Sequence, residues 1–246
     1  MEEGHEFAFF TDVDEFLVLE RHHDVTSFAV DHLGLGGGTE DVVAKSEAKA
    51  KAEEEKEDSD DEDGKGEIMT NDRAVAGAVG INFRVIGNDC RVTYEPIPVS
   101  KRFQYRVPLG YEMNKFVKSL VKLRHMDLSA DFGDPHFYRL KKPAVKVDTD
   151  GHERYGSIQE KRLYNVASVH HFLFKSLTEY VKKRERGGGT TGTTNPSLIS
   201  AARRGRDNFG MPLPGGSIEE DSVWRRLRES VLKYRTYDDF VENGKR

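Results

Sequence analysis

The sequence has little cysteine, no excess of basic charge and no long apolar run. Of its 246 residues only Cys90 is a cysteine, so an internal disulfide framework is excluded. Lysine and arginine number 38 against 43 aspartate and glutamate, which argues against a strongly basic nucleic-acid-binding protein. No stretch approaches the roughly 18 apolar residues of a membrane span, and residues 2–6, EEGHE, are unlike a secretory signal. The sequence as written therefore predicts neither a membrane segment nor a targeting signal.

Two segments lack side chains that a core could bury. Residues 45–67 hold 11 acidic and 5 basic residues, and residues 187–196 read GGGTTGTTNP. Segments of such composition cannot bury enough apolar surface to fold, so we expect both to be solvated. The predicted organisation is a main domain at 1–187 with a disordered, low-complexity acidic insertion at 36–72, a flexible linker at 188–216 and a C-terminal helical segment at 217–246.

Apolar patterning predicts an α/β fold with a mixed sheet and flanking helices. The runs FAFFT (7–11) and FLVL (16–19) are short and apolar, which is typical of interior strands in a mixed or parallel sheet. Turn residues separate further predicted strands within AVGINFRVIG, CRVTYEPIPV, FVKSLVKL and NVASV. Helices are predicted over 176–186 and 218–234, where apolar residues recur at helical spacing.

The sharpest local motif is Asp12-Val13-Asp14 after the first apolar run. Two carboxylates spaced i and i+2 at a strand end can reach one hard divalent cation and leave room for phosphate oxygens. The carboxyl end of a sheet strand is also the usual ligand position in open α/β sheets. The motif predicts a metal-bridged diphosphate site, and the alternative is a pair of acids that caps a loop.

The motif and five later segments, in the same order, resemble the glycosyltransferases of GT-A fold, in particular family 92 and its family 2-like relatives. These segments are FFTDVDEFLVL (9–19), GINFRVIG (80–87), PVSKRF (98–103), KFVKSLV (115–121), PHF (135–137) and HHFLFKS (170–176). Two departures stand out. The family's Asn-His-Tyr is His170-His171-Phe172 here, and its nucleotide-binding strands and helices before the D-x-D motif have no counterpart. The resemblance thus implies a partial GT-A, Rossmann-like domain.

The resemblance also implies a reaction and a set of roles. A sugar would pass from a nucleotide-sugar donor to a glycan or glycoprotein hydroxyl, as in hexosyltransferases of the Golgi or secretory-pathway membrane. By position, Asp12, Asp14 and His171 would bind a divalent metal, and Asp12 could instead contact the donor ribose. An imidazole among carboxylates suits Mn²⁺ better than Mg²⁺. Nucleic acid is not an expected partner.

Further residues are assigned to the substrates and to the chemistry. Lys175 and Ser176 would meet the diphosphate at a helix N-terminus, although Ser176 could equally form a capping box with Glu179. His136 is predicted at the acceptor site or the metal. Inverting transfer needs a carboxylate base, for which Asp131 and Asp134 are candidates by their proximity to His136 in the sequence.

Two other functions remain open. Phosphatases of the haloacid-dehalogenase type also begin with an apolar strand and D-x-D, with Asp12 as nucleophile and Asp14 as acid, but Phe16 departs from that pattern. A non-catalytic, glycosyltransferase-like binding protein is the third possibility. Solvated surface is predicted for His22-His23-Asp24 and for the basic cluster Arg203, Arg204 and Arg206.

Overall fold

The computed structural model describes residues 5–34, 74–129, 136–187, 195–207 and 212–231. The elements in chain order are β1 (Phe7–Phe9), β2 (Glu15–Leu19), α1 (Val25–Leu33), β3 (Val75–Val85), α2 (Val99–Arg102), β4 (Tyr105–Arg106), β5 (Val117–Lys122), β6 (Ala144–Asp148), β7 (Ala167–His171), α3 (Leu177–Glu185), α4 (Pro196–Arg203), β8 (Ile218–Glu219) and α5 (Ser222–Val231). The predicted acidic insertion at 36–72 lies outside the described residues, as do Asp131 and Asp134.

The chain forms two compact units, and β3 contributes to both. The first unit comprises residues 1–10, 19–82 and 115–168. In it, β3 pairs antiparallel with β5 and parallel with β6, and β1 pairs antiparallel with β5. An apolar cluster of Ala78, Val121, Met126 and Tyr138 fills the space against these strands.

Strand β3 is the central strand, and nearly all of its residues are apolar or glycine on both faces. Nine of its eleven residues, VAGAVGINFRV, are buried. The pairing with β6 shifts register between Ala76 and Ala78, so Gly77 forms a bulge. A Cβ at Gly77 would lie 2.8 Å from the Cβ of Ala144, closer than real Cβ atoms approach one another. Glycine is therefore required at this position for β6 to pack beside β3.

The second unit comprises residues 11–18, 83–114 and 169–246. Here the end of β3 pairs parallel with β7, and β2 lies on the other side of β7. Strands β4 and β8 form a short antiparallel pair. The apolar core joins strand and helix residues, namely Val18, Ile86, Phe103, Phe172 and Val223. The unit thus brings the start of β2 beside the end of β7.

The predicted α/β class, with a mixed sheet and flanking helices, is confirmed, but two details are wrong. Among the described residues β1 pairs only with β5 and β2 only with β7, so both are outer strands and not interior ones. The predicted strand in CRVTYEPIPV is also absent. Asp89 and Cys90 have positive φ angles there, and Pro96 and Pro98 lack the N–H that a strand needs.

The other helix and strand predictions differ from the structure mainly at their ends. Strand β7 begins at Ala167, two residues after the predicted start. The helix predicted over 176–186 is α3, with Ser176 as its N-cap. Helix α4 lies within the segment predicted as a linker, and α5 begins at Ser222 because Ile218–Glu219 pairs with β4. No helix in the described part of the chain is long and apolar enough to cross a membrane.

Candidate functional site

Asp14 lies in the turn that precedes β2 in the second unit. The turn is closed by two hydrogen bonds, from Glu15 N to the Asp12 carbonyl at 3.0 Å and from Asp12 N to the Glu15 carboxylate at 2.9 Å. The Asp14 carbonyl accepts a hydrogen bond from Phe172 N at 2.9 Å, immediately after β7. This bond ties the D-x-D turn to the end of β7, where His171 is the last strand residue.

The Asp14 carboxylate is buried and meets three basic side chains. Its Oδ2 lies 2.9 Å from Lys183 Nζ and 3.2 Å from Lys175 Nζ. Its Oδ1 lies 4.0 Å from His171 Nε2. The carboxylate is only 4% exposed, whereas the two lysines are 22% and 26% exposed and therefore reach toward solvent. The site is a buried anion beneath two partly accessible cations.

Burial and the neighbouring positive charges shift the pKa of Asp14 in opposite directions. Burial raises its pKa, but the Lys183 ammonium, together with His171 and Lys175, holds the pKa of Asp14 below its ordinary value. The carboxylate is consequently ionised at neutral pH. An ionised, buried carboxylate next to an imidazole is a donor set that a divalent cation can use.

The two lysines reach Asp14 because of how α3 begins. Ser176 is the N-cap, and its hydroxyl and the Glu179 carboxylate form a capping box. Lys175, just before the cap, has a φ of 50°, a left-handed conformation that is strained for a residue with a side chain. Lys183 follows eight residues later, a little over two helical turns along α3.

The capping box is held by an ion pair whose arginine is buried. Arg102 donates two hydrogen bonds to Glu179, at 2.7 and 2.9 Å. The guanidinium also lies over the rings of Phe103 and Tyr94, 4.9 and 5.2 Å from their centroids. Burial raises the pKa of Glu179, but its hydrogen bonds from Arg102 and Ser176 lower it below the ordinary value. This network fixes the start of α3 and hence both lysines.

The lysines that contact Asp14 also line a cleft of about 630 Å³. Its lining includes the cations Lys175, Lys182, Lys183 and Arg186 and the carboxylates Glu179 and Glu185. Glu179 is already paired with Arg102, so the remaining lining charge is positive. The cleft has the charge and size for an anionic ligand that includes a diphosphate.

The residues fit a divalent metal only in part. Two ligands on one ion at about 2.1 Å each lie roughly 3–4 Å apart, as Asp14 Oδ1 and His171 Nε2 do at 4.0 Å. Glu15 Oε1 lies 3.9 Å from the same imidazole nitrogen. However, Asp14 Oδ2 is occupied by two ammonium groups, which would repel a bare cation. The arrangement therefore suits a cation that arrives together with an anion.

The other predicted site residues lie elsewhere or have other contacts. The Asp12 side chain is exposed, and its backbone closes the turn. Ser176 acts as the helix cap. His136 belongs to the first unit, where its Nδ1 is 2.9 Å from the Val117 carbonyl and its own carbonyl accepts from Ser119. Asp131 and Asp134, the candidate bases, stay predictions because they lie outside the described residues.

Sequence reasoning missed two members of the site. Lys183 follows from the motif only once the length of α3 and its orientation toward Asp14 are known. Glu15 was assigned no role from the sequence, yet its side chain is fully buried beside His171. The available signal was the apolar run Phe16–Leu19 that follows Glu15, because a charge at the start of a buried strand must find a partner.

His170, adjacent to the predicted ligand, is buried on the opposite face of β7, as strand alternation requires. Neither of its ring nitrogens has a hydrogen-bond partner among the described residues. Burial lowers the pKa of His170 to about 3, with Glu220 opposing the shift and Arg84, Arg226 and Arg106 adding to it. The imidazole is therefore neutral in the folded chain at neutral pH.

This burial predicts a pH-dependent stability. The unfolded chain binds a proton at an ordinary histidine pKa, near 6.5, and the folded chain does not, so stability falls as the pH drops below about 6.5. Between pH 7.5 and 5.5, wild type should lose about 1.4 kcal/mol more of its free energy of unfolding than His170→Gln. Urea denaturation in EDTA would measure it. The exposed control His152→Gln should behave as wild type, and parallel losses in wild type and His170→Gln would contradict the assignment.

The comparisons with known proteins returned nothing that could assign a family. No protein-family model, no curated protein and no solved structure matches this chain.

Proposed function

We propose that the chain binds the metal–diphosphate group of a nucleotide sugar and acts as a metal-dependent glycosyltransferase. The observation that carries the proposal is the meeting of Asp14 with His171, Lys175 and Lys183. The two lysines of this group also line the cleft. The order of motifs from the D-x-D turn to HHFLFKS supports the same interpretation. The proposed acceptor is a glycan or glycoprotein hydroxyl, and the proposed location is the Golgi or another secretory-pathway membrane.

The charges at the site support a ligand that combines a cation with a diphosphate. Asp14 and Glu15 contribute two negative charges, which the two lysines offset. A divalent cation alone would leave the buried site with excess positive charge. A diphosphate brings two or more negative charges, so the complex of both groups would restore the balance. Metal and diphosphate should accordingly bind cooperatively.

Each side chain has a proposed task in transfer. Asp14 and His171 would hold Mn²⁺, which supplies a Lewis acid that stabilises the departing diphosphate. Lys175 and Lys183 would leave Asp14 Oδ2 and donate hydrogen bonds to the diphosphate oxygens. The negative charge that develops on the departing diphosphate would then lie next to these two cations. Asp131 and Asp134 remain the proposed candidates for the base that deprotonates the acceptor hydroxyl.

Pyrophosphate titration tests the binding half of the proposal. Calorimetry with pyrophosphate and Mn²⁺ together should give binding that is at least about tenfold tighter than with either alone. Lys183→Met should weaken pyrophosphate binding about tenfold or more, since a hydrogen bond to a charged group is worth about 1.5–3 kcal/mol. The control Lys161→Met changes an exposed lysine of the first unit and should bind as wild type. Equal binding by both variants would contradict the proposal.

Turnover tests the catalytic half. Release of nucleoside diphosphate from a panel of nucleotide sugars in Mn²⁺ should be detectable and should be lost in Lys183→Met. Hydrolysis of a generic phosphate ester in Mg²⁺, abolished by Asp12→Asn, would instead establish the phosphatase alternative. Pyrophosphate binding without turnover of either substrate class would favour the non-catalytic binding protein.

A further inference from the structure

A second cluster of metal-ligating side chains lies in the first unit, around α1. His22, Asp31 and His32 each offer one ligand atom, and these three atoms all lie within 4.8 Å of one another. His22 Nε2 lies 3.2 Å from Asp31 Oδ2. The sequence predicted His22-His23-Asp24 as solvated surface, and this is wrong for His22, whose side chain is only 13% exposed.

The fold assembles this cluster through the start and end of one short helix. Asp24 caps α1, with its carboxylate accepting from Ser27 N at 2.7 Å, and this cap fixes the chain just after His22. Asp31 and His32 lie in the last turn of the same helix. The chain before the cap folds back along α1, so that the His22 ring lies 5.3 Å from the Phe28 ring and 5.8 Å from the His32 ring.

A buried phenylalanine supports both imidazoles. The Phe28 ring centroid lies 4.6 Å from that of His32 and 5.3 Å from that of His22, and Phe28 itself is fully buried. The two imidazole centroids are 5.8 Å apart. Contact with the Phe28 ring restricts the rotation of both imidazoles. It also excludes water from one side of each imidazole. Asp31, in contrast, is 67% exposed and faces the solvent side.

We propose that His22, Asp31 and His32 form a binding site for a transition-metal ion of the Zn²⁺ type. Zinc takes imidazole nitrogen and carboxylate oxygen at about 2.0–2.2 Å, so two ligands of a tetrahedral site lie about 3.3 Å apart. The 3.2 Å between His22 Nε2 and Asp31 Oδ2 already matches that separation. The His32 ligand atom lies within 4.8 Å of both of these atoms.

The ligand set also favours zinc over the harder cations. Two imidazoles and one carboxylate suit Zn²⁺ and its neighbours in the transition series, whereas Mg²⁺ and Ca²⁺ prefer oxygen ligands throughout. Three protein ligands with an exposed carboxylate leave a fourth position for water. This proposal does not depend on the function proposed above, because its ligands belong to the first unit and do not include Asp14 or His171.

Metal titration without any diphosphate tests the site. Co²⁺ in place of Zn²⁺ should give the visible absorption of a four-coordinate ion, and Zn²⁺ should displace it. His22→Gln and His32→Gln should each abolish the Co²⁺ spectrum. Asp31→Ala changes an exposed side chain and should weaken Zn²⁺ binding at least tenfold while the chain stays folded by circular dichroism.

Two control variants distinguish metal binding at His22, Asp31 and His32 from metal binding elsewhere in the chain. His23→Gln removes an exposed histidine next to His22 and should leave the Co²⁺ spectrum unchanged. Asp14→Ala should leave it unchanged as well, which distinguishes this ion from one at the candidate diphosphate site. Absence of saturable Zn²⁺ binding, or an unchanged spectrum in His22→Gln and Asp31→Ala, would show that the three side chains form only an ion pair and would overturn the proposal.

Discussion

Asp14→Asn is expected to abolish the cooperation between Mn²⁺ and pyrophosphate and to lower any nucleotide-sugar turnover by at least about 100-fold. Loss of groups that merely support a metal ligand already reduces metal affinity or activity about 10–100-fold, and Asp14 is the proposed ligand itself. The amide keeps the shape of the side chain but carries no charge. Mn²⁺ would then face Lys175 and Lys183 with only the Glu15 carboxylate left to offset their charge.

The same substitution should act oppositely on pyrophosphate alone. In wild type both ammonium groups are engaged with Asp14 Oδ2, at 2.9 and 3.2 Å, and the negative carboxylate repels an approaching anion. The neutral amide of Asp14→Asn cannot hold the lysines as firmly, so metal-free pyrophosphate should bind at least as tightly as it does to wild type. A purely structural role for Asp14 would instead weaken both measurements together. Glu153→Gln, at an exposed position, is the matched control for a lost carboxylate.

Stability provides a third measurement on Asp14. Because its folded pKa is lowered, the carboxylate contributes stability above its ordinary pKa, and that stability is lost as the pH falls through the folded value. The free energy of unfolding of Asp14→Asn should therefore be lower than that of wild type at pH 7, and the difference should shrink in acid. A constant difference across pH would mean that packing, and not the ion pairs, explains the loss.

The sequence predicted those site residues that lie within short motifs. Asp14 could be named because the D-x-D motif follows an apolar run, and His171 and Lys175 could be named because the segment HHFLFKS (170–176) resembles a motif of the glycosyltransferases. Lys183 could not, since its contact with Asp14 joins residues that are 169 positions apart and depends on the rotation of α3 about its axis. The spacing of apolar residues within α3 does not reveal which side of the helix faces Asp14.

The fold shows the same division between local and long-range information. Strand β3 was predictable because its sequence is almost wholly apolar or glycine and ends at turn residues. The outer positions of β1 and β2 were not, because an apolar run of three to five residues does not reveal which neighbours it will have. The His22, Asp31 and His32 cluster was hidden for a related reason, because the contact between residues nine apart needs the chain before α1 to fold back along the helix.

The largest expected effect on stability is that of Arg102→Leu, which should lower the free energy of unfolding by about 3 kcal/mol or more. Removal of one member of a buried ion pair leaves the other charge without compensation, at a typical cost of about 3–5 kcal/mol. Glu179 keeps 19% exposure, which places the expectation at the lower end of that range. Urea denaturation at pH 7 would measure the change.

Two further variants separate the ion pair from its surroundings. Arg102→Lys keeps the charge but cannot donate the paired hydrogen bonds or stack between Tyr94 and Phe103, so it should recover less than half of the loss. Arg91→Leu removes a different Arg–Glu pair, whose side chains are 35% and 46% exposed, and should change stability by less than about 1 kcal/mol. Similar losses for Arg91→Leu and Arg102→Leu would contradict the assignment.

The effect of Arg102 should also extend to the cleft. Glu179 caps α3 through Ser176, and α3 carries Lys182 and Lys183, so the loss of Arg102 releases the element that holds those cations in place. Arg102→Leu should therefore weaken pyrophosphate binding even under conditions where the chain remains folded, although Arg102 does not line the cleft. If Arg102→Leu lowers stability but leaves pyrophosphate binding unchanged, the lysines are fixed by other contacts and Arg102 is structural only.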